Sequence, residues 1–176
     1  MKKSVLLLFF AGCVATGIFG IGRKIPMNRV NDLGQREGYW RDSVGGGFVY
    51  DLYYKGGKKD GLYKRFYRNK LFLFGEYTAD NISGTWYMFG DEGELRCTID
   101  SIELNKDSIY TGYCRIFCKY KCYCADYYPS GAVKSEGYMV CDEEFEIEIW
   151  EIGEWKYYDE SGNLIKTKDY GDRRTP

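Results

Sequence analysis

A glycine followed two residues later by an aromatic recurs along this chain, and it constrains the fold more than any other feature. The copies are Gly38-Tyr39-Trp40, Gly61-Leu62-Tyr63, Gly84-Thr85-Trp86 and Gly153-Glu154-Trp155. The first three opening glycines are 23 residues apart. A fixed period in the twenties marks an array of small units, each of which buries its apolar face only against a neighbour. The fullest copy is Gly153-Glu154-Trp155-Lys156-Tyr157-Tyr158-Asp159-Glu160-Ser161-Gly162-Asn163-Leu164. Gly61 to Leu71 and Gly84 to Leu95 repeat it, Gly38 to Gly57 repeats it with an insertion at Gly45 to Gly47, and Gly112-Tyr113 leading to Val133 is a stretched fourth copy.

Each copy reads as strand, turn, strand, because short aromatic and β-branched runs are punctuated by glycine-containing turns. In Gly90-Asp91-Glu92-Gly93 and Asp159-Glu160-Ser161-Gly162 the last glycine is free to take the left-handed conformation that closes a type I turn into a bulge. Gly45-Gly46-Gly47 reads as a looser hairpin turn. A single hairpin is marginal in water, so neighbouring copies are expected to lie edge to edge and share aromatic ladders. The expected fold is all-β, an elongated antiparallel sheet of tandem hairpins. Aromatics at 18% of the chain, 18 of them tyrosine, suit such half-exposed pleated surfaces.

This pattern resembles the MORN-repeat variant of the bacterial YwqK-type proteins, over roughly Asn31 to Gly171. The resemblance implies hairpin repeats that act as protein-interaction or membrane-associated scaffolds, and the antitoxin label carried by some members implies an alternative role in neutralising a partner toxin. The fourth copy departs from the family pattern, since its expected strand from Tyr113 to Asp126 is long and cysteine-rich.

Residues 1–22 read as a targeting segment. Lys2 and Lys3 precede an uncharged run of 19 residues, Ser4 to Gly22. As a helix that run would reach about 28 Å, close to the thickness of a bilayer's hydrocarbon core. Three outcomes are open: lipidation at Cys13, where Phe10-Ala11-Gly12-Cys13 resembles a lipoprotein processing site; cleavage as a secretory signal; or retention as an anchor. The first and third attach the chain to a membrane, and an exported body at the cell envelope is the expectation. Residues 23–30 then form a linker, 31–171 the repeat domain and 172–176 a frayed tail.

Export raises the expectation of disulfides among Cys97, Cys114, Cys118, Cys122, Cys124 and Cys141. Positions 114, 118, 122 and 124 share parity, so in one continuous strand they would line one face. Cys122 and Cys124 would then be about 7 Å apart, too far to bond each other, and Cys97 and Cys141 become plausible partners from flanking segments. A zinc reading of Cys118, Cys122 and Cys124 lacks paired Cys-x2-Cys knuckles and any histidine. Reduced, buried thiols are the third reading.

Twenty-five basic and 26 acidic residues leave a net charge of −1 with the signs interleaved, so no basic face exists for nucleic acid. No histidine is present, which removes Ser-His and Cys-His mechanisms. The expectation is a non-enzyme without cofactor or metal. Glu144, Glu146 and Glu148 alternate with apolar residues and read as a solvated strand face. Trp40, Tyr63, Trp86, Tyr113 and Trp155 read as sheet packing. In a single-layer sheet, however, an undercovered aromatic face is also the route to a partner surface.

Overall fold

The computed structural model describes residues 26–106, 110–111, 114–142 and 149–171. Among them lie fourteen strands and no helix: β1 (Arg29–Val30), β2 (Arg36–Gly45), β3 (Phe48–Lys55), β4 (Lys58–Lys59), β5 (Gly61–Tyr67), β6 (Lys70–Thr78), β7 (Asn81–Phe89), β8 (Leu95–Leu104), β9 (Tyr110–Thr111), β10 (Cys114–Phe117), β11 (Tyr120–Tyr127), β12 (Val133–Cys141), β13 (Ile149–Tyr158) and β14 (Leu164–Asp169). Twelve of them make one antiparallel sheet in the order β1-β2-β3-β5-β6-β7-β8-β11-β12-β13-β14, with β4 paired to β3, while β9 and β10 form a separate ribbon. The all-β expectation holds. Five hairpins follow one another: β2–β3, β5–β6, β7–β8, β11–β12 and β13–β14.

Turn chemistry sets the hairpin registers. Gly93 and Gly162 both sit at φ 83°, and their amides donate to Gly90 O at 3.0 Å and Asp159 O at 2.9 Å. The triple glycine is tighter than the sequence suggests, because Gly46 and Gly47 alone close the β2–β3 hairpin with φ of 59° and 86°.

The recurring glycine–aromatic pair has a geometric meaning that its period does not reveal. On β6 and β7, Phe74 pairs with Tyr87 and Glu76 with Ser83, so Gly75 alone faces Gly84, Thr85 and Trp86. On β12 and β13, Glu136 pairs with Lys156 and Tyr138 with Ile152, so Gly137 alone faces Gly153, Glu154 and Trp155. On β3 and β5, the Asp51–Lys64 pair and the Asp60 N to Tyr53 O bond of 2.8 Å leave Leu52 opposite Gly61, Leu62 and Tyr63. Each is a bulge of three residues against one, which bends the strand and re-aims a side chain. The opening glycines take up the bend, Gly84 at φ 64° and Gly153 at φ 60°, where an L side chain would be strained. The aromatic is thereby laid across the previous strand.

Residues that face one another across successive strands form a single row over the sheet: Trp40, Leu52, Tyr63, Gly75, Trp86, Ile99, Cys124, Gly137, Trp155 and Lys168. The first strands of the five hairpins contribute Trp40, Tyr63, Trp86, Cys124 and Trp155. Sequence reading placed Tyr113 in the fourth position. The residue in that row is instead Cys124, because the fourth hairpin opens with β11, and Tyr113 lies outside the described residues.

The core lies on the face that carries this row. Leu52, Tyr63, Leu73, Tyr77, Trp86, Ile99, Cys122, Cys124, Met139 and Trp155 belong to one buried cluster. Aromatic rings cover one another there: Trp86 meets Tyr77 edge-on at 5.3 Å and Tyr63 at 5.4 Å between ring centres. Arg65 is also buried on this face, its guanidinium stacked on Phe48 at 4.5 Å, Tyr50 at 5.2 Å and Phe72 at 5.5 Å.

The expected continuous strand from Tyr113 to Asp126 does not form. β10 ends at Phe117 and β11 begins at Tyr120. Between them the buried Asn105 closes the insert, its amide donating to Lys119 O at 2.9 Å and its Nδ2 to Cys118 O at 3.0 Å. The parity argument therefore fails for Cys118, which packs with Val140 and Ile152 on the opposite face, away from Cys122 and Cys124. The zinc reading of Cys118, Cys122 and Cys124 fails for the same reason. β1 falls within the stretch read as linker. Residues 1–22 with Cys13, Glu144, Glu146 and Glu148, and the 172–176 tail lie outside the described residues, as does the side chain of Cys114.

The outer face carries a strong ion pair. Arg41 Nε and Nη2 donate to the two oxygens of Asp51 at 2.6 and 2.7 Å, and Asp51 is buried. Burial raises the Asp51 pKa, but the bonds from Arg41 and Tyr39 and the charges of Arg41 and Lys64 outweigh it and hold the carboxyl below its ordinary value. A depressed folded-state pKa adds stability above the unfolded value of about 3.9 and loses it as pH falls through the folded value. Asp51→Asn is expected to cost about 1.5–3 kcal/mol at pH 7, the worth of charge-assisted hydrogen bonds. The gap from wild type should shrink below about pH 4. Urea midpoints of both proteins at pH 7 and pH 3 measure it, and an equal gap at both would contradict the assignment.

Candidate functional site

The inner face is hollowed where the row of large aromatics is interrupted. Trp86 and Trp155 flank a stretch in which Ile99, Cys124 and Gly137 are the row residues, and the small Cys124 stands where the other hairpins supply Trp or Tyr. A groove of about 620 Å3 opens there, from Phe72 and Met88 on one side to Trp155 and Tyr157 on the other. Cys97, Ile99, Cys124 and Met139 also line it, and Arg96, Asp126, Lys134 and Glu151 supply charges of both signs. A smaller hollow of about 270 Å3 lies over the first three hairpins, against Leu52, Tyr63 and Trp86. Concave, largely apolar surfaces with a few placed polar groups are the usual form of a binding site.

Several polar groups are fixed beside the groove. Ser135 Oγ donates to Asp126 Oδ2 at 2.9 Å, and the hydroxyls of Tyr157 and Tyr170 share a hydrogen bond of 2.7 Å. Burial, followed by that bond, pushes the Tyr157 phenol well above its ordinary value, so it stays neutral. Thr98 Oγ1 and Tyr127 OH lie 3.0 Å apart.

Four of the sequence-predicted cysteines come together here. Cys97 Sγ is 3.2 Å from Cys124 Sγ, and Cys122 Sγ is 3.6 Å from Cys141 Sγ. Cys97 and Cys141, read from the sequence as plausible disulfide partners, each stand as a free thiol beside one member of the cluster, which is split: Cys124 faces Cys97 on β8 and Cys122 faces Cys141 on β12. Contact with the partner thiol and then burial push both Cys124 and Cys122 far above the ordinary thiol range, so neither is an activated nucleophile. Among the described residues, Cys97, Cys124 and Asp126 are the set whose ligand atoms converge enough to hold a cation, all within 4.8 Å of one another. No sequence motif marks Asp126, because its approach to Cys97 depends on the β8–β11 register, in which the two are direct partners.

The repeat aromatics are not equally placed with respect to the groove. Trp155 lines it, Tyr63 and Trp86 line the smaller hollow, and Trp40 packs at the margin of the core beneath the Arg36 guanidinium at 4.4 Å. Among the described residues no helix is long and apolar enough to cross a membrane.

Comparisons with protein-family models, with curated proteins and with solved structures find no match to this chain.

Proposed function

We propose that the chain is a MORN-like hairpin-repeat module without catalytic activity, which binds a partner protein through its inner groove at a bacterial cell envelope. The observation that carries this reading is the gap in the aromatic row at Cys124, which leaves a largely apolar groove of about 620 Å3 flanked by Trp155 and Tyr157. This is the larger of the two hollows described on the inner face, and the mixed charges at Arg96, Lys134, Asp126 and Glu151 suit an amphipathic polypeptide segment better than a nucleic acid. The absence of histidine and the elevated thiols disfavour nucleophilic chemistry. Attachment to the envelope rests on the uncharged Ser4 to Gly22 run and Cys13.

Site-specific photocrosslinking in the source cells tests it. A photoreactive side chain at Phe72 or Met88, in the groove, is expected to capture one discrete envelope protein. The same group at Tyr53 or Leu62, 45% and 53% exposed, is expected to capture none. Equal capture from both sets, or none from the groove in a folded protein, would overturn the proposal.

A further inference from the structure

We infer that, among the described residues, Cys97–Cys124 and Cys122–Cys141 form disulfides, joining β11 to its neighbour on either side. Six cysteines in the repeat domain leave many pairings open. The sheet reduces them. On the inner face Cys124 is opposite Ile99 and Cys122 opposite Met139, so each cysteine meets its partner on the diagonal, Cys97 across β8 and Cys141 across β12. The sulfurs lie at 3.2 and 3.6 Å as free thiols, and closing them to a bond of about 2.05 Å takes side-chain rotation together with a slight approach of the paired strands. Cys118 is excluded from both pairs by its place on the opposite face with Val140 and Ile152.

The location gives the bonds a purpose. The one long departure from the repeat period, the insert from Asn105 to Lys119, lies between Cys97 and Cys124. A bond between these two would close the loop that contains the insert and restrict the unfolded chain where hairpin-to-hairpin continuity is lost. The second bond fixes β11 to the return strand of its own hairpin. Together they replace the lateral grip that Trp or Tyr supplies in the other four hairpins.

Oxidation requires an electron acceptor, and the chemical class is a small-molecule or protein disulfide. In the folding chain, before the pairs are buried, a thiolate of each pair attacks the acceptor's S–S bond to give a mixed disulfide, and the second thiolate then attacks the protein sulfur of that mixed disulfide and releases the acceptor's remaining sulfur. Two protein S–H bonds are lost and one S–S bond forms, while two electrons and two protons convert the acceptor into two thiols. The two pairs differ in access. Cys97 and Cys124 line the groove, whereas Cys122 and Cys141 are 0% exposed. Cys122–Cys141 therefore closes during folding and resists reduction in the native state, and Cys97–Cys124 opens first.

The test uses the full chain, refolded in a mixture of oxidised and reduced glutathione, denatured, alkylated and mapped by mass after chymotryptic cleavage at Tyr123. The expected result is a chain lighter by about 4 Da than the reduced form, with Cys97 linked to Cys124 and Cys122 to Cys141. Full reduction should lower the thermal midpoint by about 5–15 °C. Cys97→Ser should free Cys124 for alkylation and leave Cys122–Cys141 intact; Cys141→Ser should do the reverse. Limited reduction of the native protein should expose Cys97 and Cys124 to alkylation before Cys122 and Cys141. Links that join Cys97, Cys122, Cys124 or Cys141 to other partners, alkylation of all four of these after oxidation, or thiols shielded by a retained metal and released by a chelator would each overturn the inference.

Discussion

Trp86→Ala is expected to cost about 3–5 kcal/mol of folding stability, the range for deleting a buried aromatic. Trp86 is 1% exposed, meets Tyr63 and Tyr77 with ring centres at 5.4 and 5.3 Å, and its Nε1 donates to Ser83 O at 3.1 Å. It also sits in the row between Gly75 of the second hairpin and Ile99 of the third. Removal therefore opens the seam between two hairpins as well as a cavity. Domains are stable by about 5–15 kcal/mol, so this single change should bring the protein near its limit. Trp86→Phe keeps the ring packing against Tyr63 and loses the hydrogen bond, and it should cost about half as much or less. Urea unfolding followed by circular dichroism measures both, and a cost below about 1 kcal/mol for Trp86→Ala would contradict the packing described.

Gly137→Ala is the second large effect, expected at about 1–3 kcal/mol although it only adds a methyl group. A Cβ at Gly137 would lie 2.5 Å from Trp155 Cγ and 2.6 Å from two further ring atoms. The ring has little freedom to retreat, being 4% exposed and held by a 2.8 Å bond from Nε1 to Tyr138 O. Gly75 is in the same position under Trp86, where a Cβ would run into the indole ring. In an ordinary strand, alanine would be preferred over glycine. The sign of the effect thus separates an interlock from a mere turn residue, and a stabilised Gly137→Ala protein would contradict the interlock.

The fold was largely legible because its units are local. Hairpins at Gly84 to Leu95 and Gly153 to Leu164 follow from alternation and turn glycines, the one at Gly61 to Leu71 from alternation about Arg68-Asn69, and the structure has strands on both sides of each of these turns. What stayed hidden depends on pairing between segments. Gly112-Tyr113 matches the glycine–aromatic phrase locally, yet the fourth hairpin is built from β11 and β12, and its row position is Cys124. A signal for this was available: Gly137 sits inside a strand-like run, Ser135-Glu136-Gly137-Tyr138, much as Gly75 sits in Leu73-Phe74-Gly75-Glu76, and each lies under the next tryptophan. The break at Cys118-Lys119 carries no glycine or proline, which is why parity misplaced Cys118. The groove itself is a consequence of Cys124 standing at a first-strand position that the other hairpins fill with Trp or Tyr, and a row becomes visible only once every register is known.

The central claim is that Trp86 and Trp155, each laid over a glycine of the preceding strand, lock their hairpins to the ones before them. A double-mutant cycle at Gly75 and Trp86, read by equilibrium urea unfolding of the wild type, both single variants and Gly75→Ala/Trp86→Ala, tests it most directly. With the ring gone, the alanine methyl has room, so Gly75→Ala should cost at least 1 kcal/mol less in the Trp86→Ala background than in the wild type, or even stabilise it. Strictly additive costs would mean that the two residues do not touch, and the account of the sheet as interlocked hairpins would be wrong.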